Sequence, residues 1–193
     1  LKVHNSGQGE NWWIEGKQEK AKTPWTDRSG NGLNVEQGTA AYRPLRIGYD
    51  GAKDKAYVEF DGTDDSFGHI DNLLTQQNLT MFFVFKQASA TALEETVFYI
   101  DGGASESIKI SCKSDKVYTN ITDESGDSGE LDGGTPTDWN IVELRLEDDI
   151  MSLTINGTTQ NTSIGSYTPV IFDGEVTIGA LSGTSEFFNG QVE

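Results

Sequence analysis

Positive charge is scarce in this chain. Its 193 residues carry 14 Lys and Arg against 31 Asp and Glu, a formal net charge of −17. A surface of that sign repels phosphate backbones, which argues against a nucleic-acid partner, and it disfavours anionic membranes for the same reason. The imbalance is uneven: residues 1–30 hold five basic and four acidic side chains, residues 31–193 nine and 27. Cysteine is nearly absent. Cys112 is alone, so no intrachain disulfide framework exists, and its place in the alternating run Ser107–Cys112 suits a small buried hydrophobe. Two histidines, His4 and His69, leave no His/Cys metal cluster and no supported nucleophile–base pair; Gly126-Asp-Ser-Gly-Glu130 is therefore read as an acidic surface loop and not as the surround of a catalytic serine. No apolar run approaches the roughly 20 residues that span a bilayer as a helix. The longest candidates, Leu79–Phe85 and Val97–Ile100, have strand length, so membrane insertion is not expected.

What the chain has in quantity is glycine after Asn or Asp. Eight of its 22 glycines sit in such pairs: Asn31-Gly32, Asp50-Gly51, Asp61-Gly62, Asp101-Gly102, Asp132-Gly133, Asn156-Gly157, Asp173-Gly174 and Asn189-Gly190. Asx-Gly suits tight turns whose central residues need positive φ. Between the pairs lie runs rich in Val, Ile, Phe, Tyr and Thr, so an antiparallel all-β chain is expected. Val142, Leu144 and Leu146 alternate with Glu143 and Arg145; Met151, Leu153 and Ile155 alternate with Ser152 and Thr154. These two runs predict a hairpin, with Asn156-Gly157 as the next turn. Leu79–Phe85 is apolar at almost every position, which predicts a strand covered on both faces. Short helical turns fit only at Asp71–Gln77 and Ala88–Glu95. A length of 193 residues suits one sandwich, expected over residues 25–193 after an extended N-terminal segment, 1–24.

Two sets of residues are candidates for binding. Asp61, Asp64, Asp65 and Asp101 stand in Asx-Gly turns and could supply oxygens to calcium, a hard cation that takes six to eight of them; the alternative is that they only shape the turns. Trp12, Trp13 and Trp25 stand in loop-like sequence and could offer aromatic platforms to a sugar, although a Trp before a multi-turn loop also suits plugging the end of a sandwich. Tyr118 and Tyr167 are further aromatics of this kind, while Trp139, opening an amphipathic strand, reads as core or rim.

Several local patterns occur in a telling order: Trp25-Thr-Asp-Arg-Ser-Gly-Asn-Gly32, Val58-Glu-Phe-Asp-Gly-Thr-Asp-Asp65, Leu79-Thr-Met-Phe-Phe-Val-Phe85, the Trp139 hairpin with its Ile155-Asn-Gly157 turn, and Ile178-Gly-Ala180 followed by Phe188-Asn-Gly-Gln191. Together they resemble the concanavalin A-like lectin/glucanase superfamily, and within it the laminin-G-like jelly-roll modules of bacterial surface and phage virion proteins. The resemblance covers about residues 25–193 and implies a two-sheet antiparallel β-sandwich of about a dozen strands. It implies a non-catalytic module that binds glycans or a neighbouring protein subunit, at an extracellular, cell-surface or virion location, with calcium at a loop edge in many members. A purely structural virion domain is the alternative, and self-association into a homo-oligomer is left open. The final strand of such modules runs past Phe-Asn-Gly-Gln, whereas this chain stops at Glu193 and starts at Leu1 without a leader-like pattern; the expectation is a piece of a larger polypeptide.

The superfamily also contains glucanases, whose retaining members flank the scissile bond with carboxylates about 5–5.5 Å apart and carry them on one strand as Glu-x-Asp-x-x-Glu. The nearest match is Glu59-Phe-Asp61-Gly-Thr-Asp64. Glu59 and Asp61 would share a face, but Gly62 breaks the strand before Asp64, so no enzyme is expected.

Overall fold

Strict alternation builds most of this chain into strands. In Lys116–Thr122 the residues Val117, Thr119 and Ile121 are buried while Lys116, Tyr118, Asn120 and Thr122 are less so, the period-2 signature of a strand with one covered face. The structure, a computed structural model, describes residues 3–4, 13–14, 18–20, 34–47, 57–70, 74–76, 79–102, 106–122, 128–147, 149–164, 170–172 and 175–193.

The strands, in chain order, are β1 (Val3–His4), β2 (Trp13–Ile14), β3 (Gln18–Lys20), β4 (Leu45–Ile47), β5 (Tyr57–Asp61), β6 (Phe67–Ile70), β7 (Leu74–Gln76), β8 (Leu79–Gln87) and β9 (Glu95–Asp101). They continue with β10 (Ser107–Lys113), β11 (Lys116–Thr122), β12 (Ser128–Gly133), β13 (Asn140–Glu147), β14 (Ile150–Ile155), β15 (Thr158–Ser163), β16 (Val170–Phe172), β17 (Glu175–Ile178) and β18 (Asn189–Val192). One sheet has six strands in the order β12-β11-β10-β9-β17-β6; the other has eight in the order β15-β14-β13-β8-β18-β5-β4-β3. Two small pairs, β1-β2 and β7-β16, accompany them, and the pairings between named strands are antiparallel. This is the two-sheet antiparallel β-sandwich the sequence predicts.

Aromatic rings tie the sheets together. Phe60 on β5 meets Phe67 on β6 edge-on at 6.1 Å, and Phe188 sits 6.1 Å from both Phe60 and Phe85. Phe83 on β8 meets Phe98 on β9 at 4.8 Å. Such offset and edge-to-face pairs add to the area they bury. Around them lie Val142, Leu144, Leu146, Met151 and Leu153, each at most 1% exposed. The predicted hairpin is therefore present with its predicted inward face. Cys112 is fully buried in the same core, and burial, with the nearby Glu95 carboxylate, pushes its thiol far above the ordinary range.

The turn after β14 shows why Asn-Gly is used there. Asn156 and Gly157 have φ of +49° and +85°, and Asn156 Oδ1 accepts from the Ile141 amide at 2.9 Å while its Nδ2 donates to Asn140 Oδ1 at 3.1 Å. Asn156→Ala keeps the left-handed backbone demand and loses both bonds, so a cost of about 1–2 kcal/mol is expected. A urea midpoint equal to wild type would refute this account of the turn.

Two expectations need correcting. Leu74–Gln76, within the segment expected to hold a helical turn, is strand paired with Val170–Phe172, and Ala88–Glu94 is bend and coil leading into β9. The helical element among the described residues is a 3-10 turn at Ala40–Tyr42. Secondly, β8 is central in its sheet, yet only its inward face is covered: Phe82 is 67% exposed and its diagonal neighbour on β13, Ile141, 60%. An apolar residue on an open face reads in sequence like one under cover.

Candidate functional site

Where β5 ends, the chain must turn tightly beside β18, and glycine allows it. Asp61 pairs with Asn189. Gly62 follows at φ +74°, where a Cβ would stand 2.7 Å from that of Asn189. The Gly62 amide donates to the Phe188 carbonyl at 3.1 Å. Asp61 Oδ1 then accepts from the amides of Thr63 at 2.8 Å and Asp64 at 3.4 Å, an Asx turn. The turn folds Asp64 and Asp65 back toward Asp61, so that carboxylate oxygens of all three lie within 4.8 Å of one another.

Burial falls unevenly across the trio. Asp61 is exposed, Asp64 half-buried and Asp65 only 1% exposed. Lys20 on β3 donates from Nζ to Asp65 Oδ1 at 3.1 Å, while Asp65 Oδ2, also buried, has no hydrogen-bond partner. Burial pushes the Asp65 carboxyl above its ordinary range; Lys20 pulls the other way, and the negative charge of Asp61 adds to the rise. Among the described residues, the Lys20 ammonium thus pairs with one carboxylate of the three. The donor set is all oxygen, which suits a hard divalent cation completed by backbone carbonyls or water, and the unbonded Oδ2 is the atom such an ion would satisfy. The residues present fit calcium.

Of the four predicted metal ligands, the structure brings together Asp61, Asp64 and Asp65. Asp101 ends β9 in the other sheet, opposite Ser107 on β10, and is not part of the group. Trp12 and Trp25 lie outside the described residues; Trp13 lies on β2, paired with His4, and its side chain is outside the description, as is Tyr167. Trp139 immediately precedes β13, an interior strand of the eight-stranded sheet, and is 41% exposed, with its ring edge-on to Tyr57 at 6.2 Å. Glu59 and Asp61 do share a face of β5, but the Glu59 carboxylate accepts from Gln191 Nε2 at 3.1 Å and Asp61 is engaged in the turn. Lys20 could not be found from sequence: it lies in a charged stretch that reads as a solvated loop, 45 residues from its partner.

No protein-family model matches the chain, and no curated protein sequence does. Solved structures do match it. The binding domain of Paraclostridial Mosquitocidal Protein 1 is similar at a TM-score of 0.68 and 13% identity, over 87% of this chain and 44% of that one. The binding domain of botulinum neurotoxin serotype G gives 0.67 and 11%, over 87% and 43%, and domains LG4-5 of the mouse laminin alpha1 chain give 0.60 and 14%, over 71% and 39%. The chain thus spans less than half the length of these structures. At such identities the likeness is one of fold: the chain shares the two-sheet jelly-roll sandwich of laminin G-like domains and of these toxin binding domains.

Proposed function

We propose that the chain is a non-catalytic recognition module that binds glycans, carried by a secreted, cell-surface or virion protein, with calcium held at the Asp61–Asp65 turn. The observation that carries the calcium part is the buried Asp65 carboxylate, its Oδ2 unbonded, beside two further carboxylates. The binding part is supported by similar structures that are themselves described as binding domains; a fold alone does not fix a function. Among the described residues no helix is long and apolar enough to cross a membrane. The test is a glycan-array screen of the protein, run in calcium and again in EDTA. Selective binding that EDTA abolishes is the expected result. Binding indifferent to EDTA would separate the glycan site from the metal, and an array blank in both conditions would overturn the glycan reading.

A structural role with a protein partner, or a second copy of the chain, is the other reading. It is favoured by the outward face of the eight-stranded sheet, where Phe82 and Ile141, diagonal neighbours on β8 and β13, are 67% and 60% exposed. Single exposed apolar residues are ordinary, but neighbours on one face suit contact with protein. A blank array together with concentration-dependent association in light scattering would establish this second reading.

A further inference from the structure

The outward face of the six-stranded sheet has the opposite character. It holds a depression of about 460 Å³ near the Asp65 turn and a larger one, about 670 Å³, across β9 to β12. The larger lies within the size range of small-ligand sites. Its floor is set by register. Tyr99, Lys109, Asn120 and Glu130 are successive cross-strand partners on β9, β10, β11 and β12; one step along, Ser111 partners Tyr118. The intervening residues Ile108, Ile110, Val117 and Ile121 are fully buried on the inner face, so the polar set is held on a rigid platform.

The chemistry of this floor selects its ligand. Asn120 offers an amide and Glu130 a carboxylate on adjacent strands, about 4.7–4.9 Å apart, where vicinal hydroxyls can bridge them. Tyr99 and Tyr118 are half-buried and present rings on which the apolar face of a sugar can lie. Charge is already balanced. Lys109 Nζ is held by Glu94 at 2.6 Å and Glu186 at 3.6 Å, Ser111 donates to Glu94 at 2.8 Å, and Lys116 beside the trough pairs with Asp132 at 2.7 Å. Neither of these lysines is an open socket for an anion; Lys113, the other cation lining the trough, lies close enough to Glu94 to act on its charge, and the chain's net charge of −17 opposes an anion. Among the described residues, Leu181 is the one aliphatic residue lining the depression, too little to anchor a protein partner.

The geometry points to this trough as the glycan site, and to an uncharged oligosaccharide as its ligand, with Tyr118 as stacking platform and Asn120 as hydrogen-bonding partner. This rests on the glycan reading above. It places the sugar on the face of the six-stranded sheet, on residues other than the tryptophans that the sequence offers as platforms.

The test screens wild type, Tyr118→Ala and Asn120→Ala on an array of neutral, sialylated and sulfated oligosaccharides, then titrates the strongest neutral one by calorimetry. Wild type is expected to bind neutral glycans. Tyr118→Ala and Asn120→Ala should each weaken binding at least tenfold, and Tyr118→Phe, which keeps the ring, should retain most of it. Unchanged melting temperatures identify folded variants. If Tyr118→Ala fails to fold, Asn120→Ala and Tyr118→Phe decide. Wild-type binding that the variants keep would overturn the trough and leave the glycan reading standing. Binding confined to sialylated or sulfated glycans would overturn the uncharged ligand. A blank wild-type array would overturn both the trough and the reading beneath it.

Discussion

Phe60→Ala is expected to destabilise the fold by about 3–5 kcal/mol, while Phe82→Ala changes it by no more than about 0.5 kcal/mol. Phe60 is fully buried. Its ring meets Phe67 across the sandwich and Phe188 beside it, and it packs so closely on Gly179, at φ +87°, that a Cβ there would collide with it. Truncation removes the aromatic contacts and leaves a void that rigid strands on both sides cannot close. Native domains hold only about 5–15 kcal/mol in total, so the loss is a large share, equivalent to about 6–20 °C in melting temperature for a chain of this size. Phe82 is two-thirds exposed on the outer face of the eight-stranded sheet and has no such role. Urea unfolding with an unchanged slope separates the two. Equal midpoints for the two variants would mean that β5 or β8 does not face as described.

That contrast marks a limit of sequence reading. Leu79–Phe85 is apolar throughout, and local composition cannot tell an apolar residue under a second layer from one on an open face; tertiary placement decides. The Asx-Gly pairs carry a similar ambiguity. Asn156-Gly157 is a turn in which both residues have positive φ, as expected. Asp61-Gly62 needs it only at the glycine. Asp132-Gly133 and Asn189-Gly190 end or open strands, and glycine serves at 190 because a Cβ would run into the Lys86 carbonyl and the Phe188 ring. The pairs therefore record close packing as well as reversal, yet both uses belong to β-structure, so the all-β class was legible. The Asp61–Asp65 group was legible because its members are contiguous and a turn gathers contiguous residues. Asp101 was not separable from them, since its distance depends on which sheet β9 joins. The trough was invisible for the same reason: each of its strands contributes one or two residues, and only register aligns Tyr99 with Lys109, Asn120 and Glu130.

Calcium is expected to stabilise the wild-type protein and to leave Asp65→Asn unaffected. A ligand that binds only the folded state contributes about 2.7 kcal/mol at a hundredfold excess over its dissociation constant, or about 5–11 °C here. In EDTA the gap between the two proteins changes with pH. Burial holds the Asp65 carboxyl above the ordinary carboxylate value, so the folded state binds this proton more tightly than the unfolded chain. The stability this group contributes is then fully present below its unfolded pKa of about 4 and is lost as pH rises through the raised folded value. Asp65→Asn has no proton to lose, so the difference in stability, wild type minus variant, should fall as pH rises from 4 toward 7 in EDTA. Calcium requires the ionised carboxylate and should restore the difference at neutral pH. Lys20 supplies the control. Its ammonium holds Asp65 Oδ1, the same group an ion would coordinate, so Lys20→Met should tighten calcium binding while weakening the protein in EDTA. A melting temperature indifferent to calcium in wild type and Lys20→Met alike would remove the metal from this turn and leave Asp61, Asp64 and Asp65 as residues that shape it.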